Sequence, residues 1–117
     1  MAVDQPCMQE FVMTLKRQHQ QLGINAMDIA KSMIDRGIHP PTMYFPLIVE
    51  EALMVEPTET EPKAVLDEAV RVLNELLDLA SQDPQALHAC PQMTPIGRID
   101  EVQAARHPIL RWQKENG

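Results

Sequence analysis

Residues 37–61 read GIHPPTMYFPLIVEEALMVEPTETE, and the prolines in this stretch decide what it can become. Pro40, Pro41, Pro46 and Pro57 each lack a donor N–H, and each biases the residue before it toward extended geometry. No helix can run through them. Two apolar segments of strand length lie between the prolines, residues 42–47 (TMYFPL) and 52–56 (ALMVE). The first has to end at Pro46 or lie at a sheet edge, because proline cannot donate to a ladder. The second is apolar almost throughout, as expected of a strand covered on both faces, and Pro57 stops it.

The flanks supply the partners. Residues 10–16 (EFVMTLK) alternate with period two, which sets Phe11, Met13 and Leu15 on one face and Val12 and Thr14 on the other, a strand pattern. Residues 16–22 (KRQHQQL) are polar and read as a loop or frayed edge. Asn25 is a good N-cap, with Asp28 in the capping-box position, and Ala26, Ile29, Ala30, Met33 and Ile34 keep helical spacing. Gly37 fits the left-handed position after that helix, and Ile38 can close a Schellman ending against Met33. The spacing predicts a helix over 26–36.

A second helix is expected over 63–81. Thr58 or Thr60 is its expected cap, Glu59 and Glu61 lie at its positive end, and Pro62 falls in its first turn. Its stripe is Leu66, Val70, Leu73, Leu77 and Ala80, flanked by Val65, Ala69, Val72 and Leu76. Asp83 and Pro84 restart a turn of helix through Leu87, and Asp100 caps another to Arg106. The apolar ending Ile109-Leu110-Arg111-Trp112 predicts that Trp112 docks on something. The order β-α-β-β-α predicts an α+β two-layer sandwich: one domain over 1–117, a core at 8–88, and an extended C-terminal tail at 89–117 with a short helix near 101–106.

Charge and composition exclude whole classes. The net charge is −7, without the clustered Lys and Arg that a nucleic-acid binder needs. No apolar run reaches the roughly 20 residues that span a bilayer, and the N-terminus has no signal-like pattern, so a cytoplasmic location is expected. Cys7 and Cys90 are far apart without metal-like spacing and read as reduced thiols. The four glycines are scattered, so no phosphate-cradling loop is present.

Candidate chemistry is sparse. His39 is fixed by a rigid proline pair at a helix end, though a solvent-facing His is the plainer reading; His88 and His107 read as surface residues. Glu59 and Glu61 are accounted for by the helix dipole, and Glu50 and Glu51 by a solvated loop. Glu56 closes an apolar strand and is expected to be partly buried, held by Thr58 or the helix amides as a structural latch rather than a catalytic acid.

Several short motifs stand in one order: Pro6-Cys7-Met8, Glu10-Phe11-Val12, Gly23-Ile24, Asp28-Ile29-Ala30-Lys31, His39-Pro40-Pro41-Thr42, Tyr44-Phe45-Pro46 and Leu53-Met54-Val55-Glu56-Pro57-Thr58-Glu59. They continue through Leu66-Asp67-Glu68, Asp83-Pro84, Thr94-Pro95, Asp100-Glu101-Val102, Ala104-Ala105-Arg106 and Leu110-Arg111-Trp112. In this order they resemble the C-terminal domain of glycine decarboxylase, the pyridoxal-phosphate P-protein of the glycine cleavage system, and best its second subunit where the enzyme is split in two. The resemblance implies the small domain of a fold type I pyridoxal-phosphate enzyme. It also implies glycine decarboxylation in the complete enzyme, with a large pyridoxal-phosphate domain, the other glycine dehydrogenase subunit and the lipoylated H-protein as partners.

The family carries its cofactor lysine in a His-Lys motif, and none of Lys16, Lys31, Lys63 or Lys114 matches it. The expectation is a chain that binds no cofactor by itself and does not catalyse alone. His39, Glu56, Thr58 and Glu59 are the residues the resemblance would place toward the active-site wall or an interface. The sequence departs from the family at Pro91-Gln92-Met93, where Pro-His-Thr is usual, and near Glu50 and Glu51, where a proline is usual. A fragment of that enzyme predicts an apolar face left exposed. The alternative, a non-enzymatic α+β ligand-binding or dimerising regulatory module, predicts a closed core and a symmetric dimer.

Overall fold

A computed structural model describes residues 6–112. Three antiparallel strands form one sheet in the order β1-β3-β2: β1 (Phe11–Thr14), β2 (Thr42–Met43) and β3 (Ala52–Val55). The α+β class holds, and the expected elements follow in the expected order, with one further helix between β1 and the expected first helix. Register pairs Met13 with Leu53 and Leu53 with Met43, so these three side chains form one row across the sheet, and all three join the hydrophobic core.

Four helices complete the body: α1 (Lys16–Leu22), α2 (Ala26–Ile34), α3 (Lys63–Gln82) and α4 (Pro84–His88). The core they close with the sheet contains Leu15, Ile24, Ile29, Met33, Leu53, Val72, Leu76 and Leu87. A further short helix, α5 (Glu101–Arg106), lies in the C-terminal segment with no buried residue.

α2 is the best-defined helix. The Asn25 side chain accepts the Asp28 amide at 2.9 Å while Asp28 Oδ2 accepts the Asn25 amide at 3.0 Å, a reciprocal capping box. At its other end the Ile38 amide donates to Met33 and the Gly37 amide to Ile34, with Gly37 at φ +72. That is the predicted Schellman ending, with its left-handed position filled by glycine.

The structure corrects five local expectations. Residues 16–22 are helical rather than a loop; Lys, Arg, Gln and Leu are good helix formers, and Gly23 at φ +72 supplies the stop. β2 is two residues long rather than six, because Tyr44 turns into the left-handed region at φ 57 and leaves the ladder before Pro46. β3 is fully buried only at Ala52 and Leu53, while Met54 and Val55 are half-buried. Neither threonine caps α3: its N-cap is Pro62, without a side-chain bond, and Thr58 and Thr60 hydroxyls bond each other at 2.7 Å.

The fifth correction concerns the face of α3. Val65 and Val70 are exposed, and the buried line is Val72, Leu76 and Ala80. A 20-residue helix spans about 30 Å and a nine-residue helix about 14 Å, so the first two turns of α3 overhang the layer beneath. Leu66 and Ala69 are half-buried, and full burial begins at Val72, on a helix that packs against α1, α2 and α4.

Candidate functional site

Among the described residues the buried polar ones are Asp28 and Ser32, both on α2. Asp28 is 0% exposed, and its two oxygens bind different parts of the chain. Oδ2 takes the Asn25 amide and stands 3.2 Å from His88 Nδ1 at the end of α4. Oδ1 accepts from Arg98 Nη2 at 2.7 Å. Arg98 also donates from Nε to the Cys90 carbonyl at 2.7 Å and from Nη2 to Leu87 at 3.2 Å. One carboxylate thus joins the start of α2, the end of α4 and the segment beyond it.

Burial alone would raise the Asp28 pKa, but the Asn25 amide, Arg98 and His88 outweigh it and hold the carboxyl below its ordinary value. A carboxylate so held is a weak base and a saturated acceptor. No buried side-chain N or O among the described residues lacks a hydrogen-bond partner. The arrangement is chemically suited to fixing chain segments in place rather than to moving protons.

A second carboxylate, Asp35 at the C-terminal end of α2, does similar work. Asp35 accepts the Gln92 amide at 2.9 and 2.7 Å and the Met93 amide at 2.8 Å. Desolvation pushes its pKa up, yet these amides overcome that and leave it lowered. Glu51 braces the opposite end of α2: its Oε2 accepts the Ala26 amide at 2.7 Å and its carbonyl accepts Leu15 N–H at 3.0 Å, with Glu51 itself at φ 49. The Tyr44 amide donates to Ala52 at 2.8 Å, closing the loop 44–51 into a bulb that turns Phe45, Leu47 and Ile48 outward.

The residues singled out in the sequence lie elsewhere. His39 is exposed in the connection after α2, and Glu56, Thr58 and Glu59 are exposed between β3 and α3. No hydrogen bond joins His39, Glu56 or Glu59 to another side chain among the described residues, so the partly buried latch expected of Glu56 is corrected: β3 ends at Val55 and the chain is in solvent one residue later. Glu51, read as solvated, is half-buried and caps a helix. His88, read as a surface residue, is half-buried against Asp28.

Sequence reasoning saw Asp28 as a local cap and missed its wider role. Its partners are 60 and 70 residues away, and nothing local in the sequence marks them. Both cysteines are free, Cys7 exposed and Cys90 buried. No group of three or more His, Cys, Asp or Glu among the described residues is placed to hold a metal ion. No helix among them is long and apolar enough to cross a membrane.

A pyridoxal-phosphate anchor would need a lysine in a dry pocket, beside an acid and a phosphate cradle. Lys16 and Lys63 are exposed and paired with Glu50 and Asp67 at 3.0 and 2.5 Å, and Lys31 is half-buried at the mouth of an open cleft against residues 98–102. The described lysines do not fit the group. Lys114 lies outside the described residues.

Fold and polar hub together define a small α+β domain whose segments are tied to one helix. Residues 2–86 match the family described as glycine dehydrogenase, C-terminal domain, and the chain belongs to that family. It is 55% identical over 112 residues to the probable glycine dehydrogenase (decarboxylating) subunit 2 of Treponema denticola, covering 96% of this chain and 23% of that protein. The protein of the same name in Halalkalibacterium halodurans is 50% identical over 111 residues, 95% of this chain and 22% of its own length. That of Thermotoga maritima is 47% identical over 107 residues, 92% and 23%. The chain therefore spans less than a quarter of the relatives it matches.

Proposed function

We propose that this chain serves as the C-terminal domain of a cytoplasmic glycine dehydrogenase (decarboxylating) of the glycine cleavage system, shaping the assembly around an active centre carried outside its 117 residues. The single observation that supports this is the likeness, at 50–55% identity over 95–96% of this chain, to subunits more than four times as long. In this reading the complete enzyme binds pyridoxal phosphate on its large domain. The other glycine dehydrogenase subunit and the lipoylated H-protein complete the cycle. His39, Glu56, Thr58 and Glu59 are the candidates for facing the active-site wall or an interface, and their exposure leaves them free to do so.

The test replaces the matching part of the Treponema denticola subunit with this chain and measures glycine–bicarbonate exchange with pyridoxal phosphate, the first subunit and lipoylated H-protein. The hybrid is expected to exchange and the lone chain with cofactor is not. An aldimine absorbance and turnover from the lone chain would overturn the reading.

A further inference from the structure

The segment after α4 is fixed at its root and bare beyond it. Asp35 holds the Gln92 and Met93 amides, and Asp28 holds Arg98, so both anchors come from α2. Past Arg98 the apolar side chains are uncovered: Ile99 and Val102 are exposed, and Ile109, Leu110 and Trp112 are 91, 89 and 85% exposed. A solvated tail is ordinarily poor in such residues. Exposed Trp112 beside Arg111, on a segment whose root is hydrogen-bonded to α2, has instead the make-up of the few residues that dominate an interface.

We propose that residues 96–112 form a docking arm, and that its occupant is the larger part of the subunit, which the relatives carry and this chain does not contain. This rests on the family reading above. Two observations choose the occupant. The alignment to the Treponema denticola protein takes in 112 of this chain's residues yet only 23% of that protein, so in the relative nearly all of the arm has a counterpart, next to three-quarters of a chain absent here. A second copy is a poor alternative, since pairing two chains of net charge −7 adds like-charge repulsion.

The hybrid Treponema denticola subunit described above, with this chain in place, also tests the arm. Hydroxyl-radical footprinting with mass spectrometry compares Trp112, Ile109 and Leu110 in the isolated chain and in the full hybrid. Oxidation of Trp112 is expected to fall at least fivefold in the hybrid, and a smaller fall overturns the proposal. Protection already present in the isolated chain, with a dimeric mass, overturns it in favour of a second copy. Trp112→Ala is expected to leave the isolated chain's urea midpoint unchanged while restoring oxidation of Ile109 and Leu110 in the hybrid at least threefold; unaltered protection there sinks the arm. Exchange activity separates the two readings: an active hybrid with exposed Trp112 removes the arm alone, and an inactive one with protected Trp112 removes the catalytic assignment alone.

Discussion

Replacing Asp28 with Asn tests the hub most directly. The change keeps shape and removes charge, and an amide can offer its oxygen to only one side. If it faces Arg98, its NH2 meets the Asn25 amide; if it is flipped, the NH2 meets the guanidinium. Either way a donor confronts a donor in a site with no water-exposed surface on residue 28. Breaking one side of a buried ion pair costs about 3–5 kcal/mol. Arg98 keeps about a third of its side chain in solvent, which lowers that figure, so we expect a loss of roughly 3 kcal/mol.

Urea unfolding followed by circular dichroism reads this as a midpoint lower by about 1–3 M, given a slope of roughly 1–3 kcal/mol per M. Arg98→Met and the double variant complete a cycle, and the double variant is expected to cost less than the two singles added, by about 1–3 kcal/mol. Additive losses, or a loss below about 1 kcal/mol for Asp28→Asn, would refute the hub as described. The pH dependence has a fixed sign. The folded-state pKa of Asp28 is depressed, so its stabilisation is present above the unfolded value near ~3.9 and is lost as pH falls through the lower folded value. The gap between parent and Asp28→Asn is therefore expected to hold at pH 7 and to narrow as pH falls below the unfolded value and through the lower folded one.

Three further outcomes follow from the geometry. Leu76→Ala, at a fully buried position on α3, is expected to cost about 2–5 kcal/mol, whereas Val70→Ala on the overhanging turn is expected to stay within about 0.5 kcal/mol, both by urea titration. Gly37→Ala is expected to cost about 1 kcal/mol, because φ +72 is strained for any side chain even though nothing lies within 4 Å of the added carbon. Burial pushes the Cys90 thiol pKa up, and Cys7 is exposed, so alkylation followed by mass spectrometry is expected to label Cys7 rapidly and Cys90 only as the domain unfolds.

What could be read from the sequence was what is local. The capping box at Asn25 and Asp28, the glycine stop at Gly37 and the caps at Asp83 and Asp100 each depend on residues within four positions, and each formed as expected. α1 escaped because KRQHQQL has no apolar stripe; Leu22 at its end is the residue that joins the core. The face of α3 was misjudged by one position because periodicity cannot show where a long helix outruns its partner. Asp28, His88 and Arg98 meet only once α4 and the following segment have folded back on α2, a fact of topology with no trace in the spacing.

The same geometry changes which element organises the domain. The proline-rich stretch 37–61 dominates the sequence, yet α2 holds the structure together: Glu51 closes on its first turn, Asp28 gathers α4 and Arg98, and Asp35 fixes the backbone at 92–93. Much of the proline-rich stretch stands outside that frame. Phe45, Leu47 and Ile48 point outward from a loop pinned at Tyr44 and Glu51, where two non-glycine residues adopt positive φ. Left-handed backbone at such residues costs of order 1–3 kcal/mol each and persists only when the surroundings over-determine it. The domain therefore bears strain to hold an apolar loop that adds little to its own core. If the loop served only this fold, replacing Phe45, Leu47 and Ile48 with Ser would leave the isolated chain's urea midpoint nearly unchanged and the hybrid subunit's activity intact. We expect the first result and a loss of activity in the second, and an undiminished exchange rate would show that the loop faces only solvent.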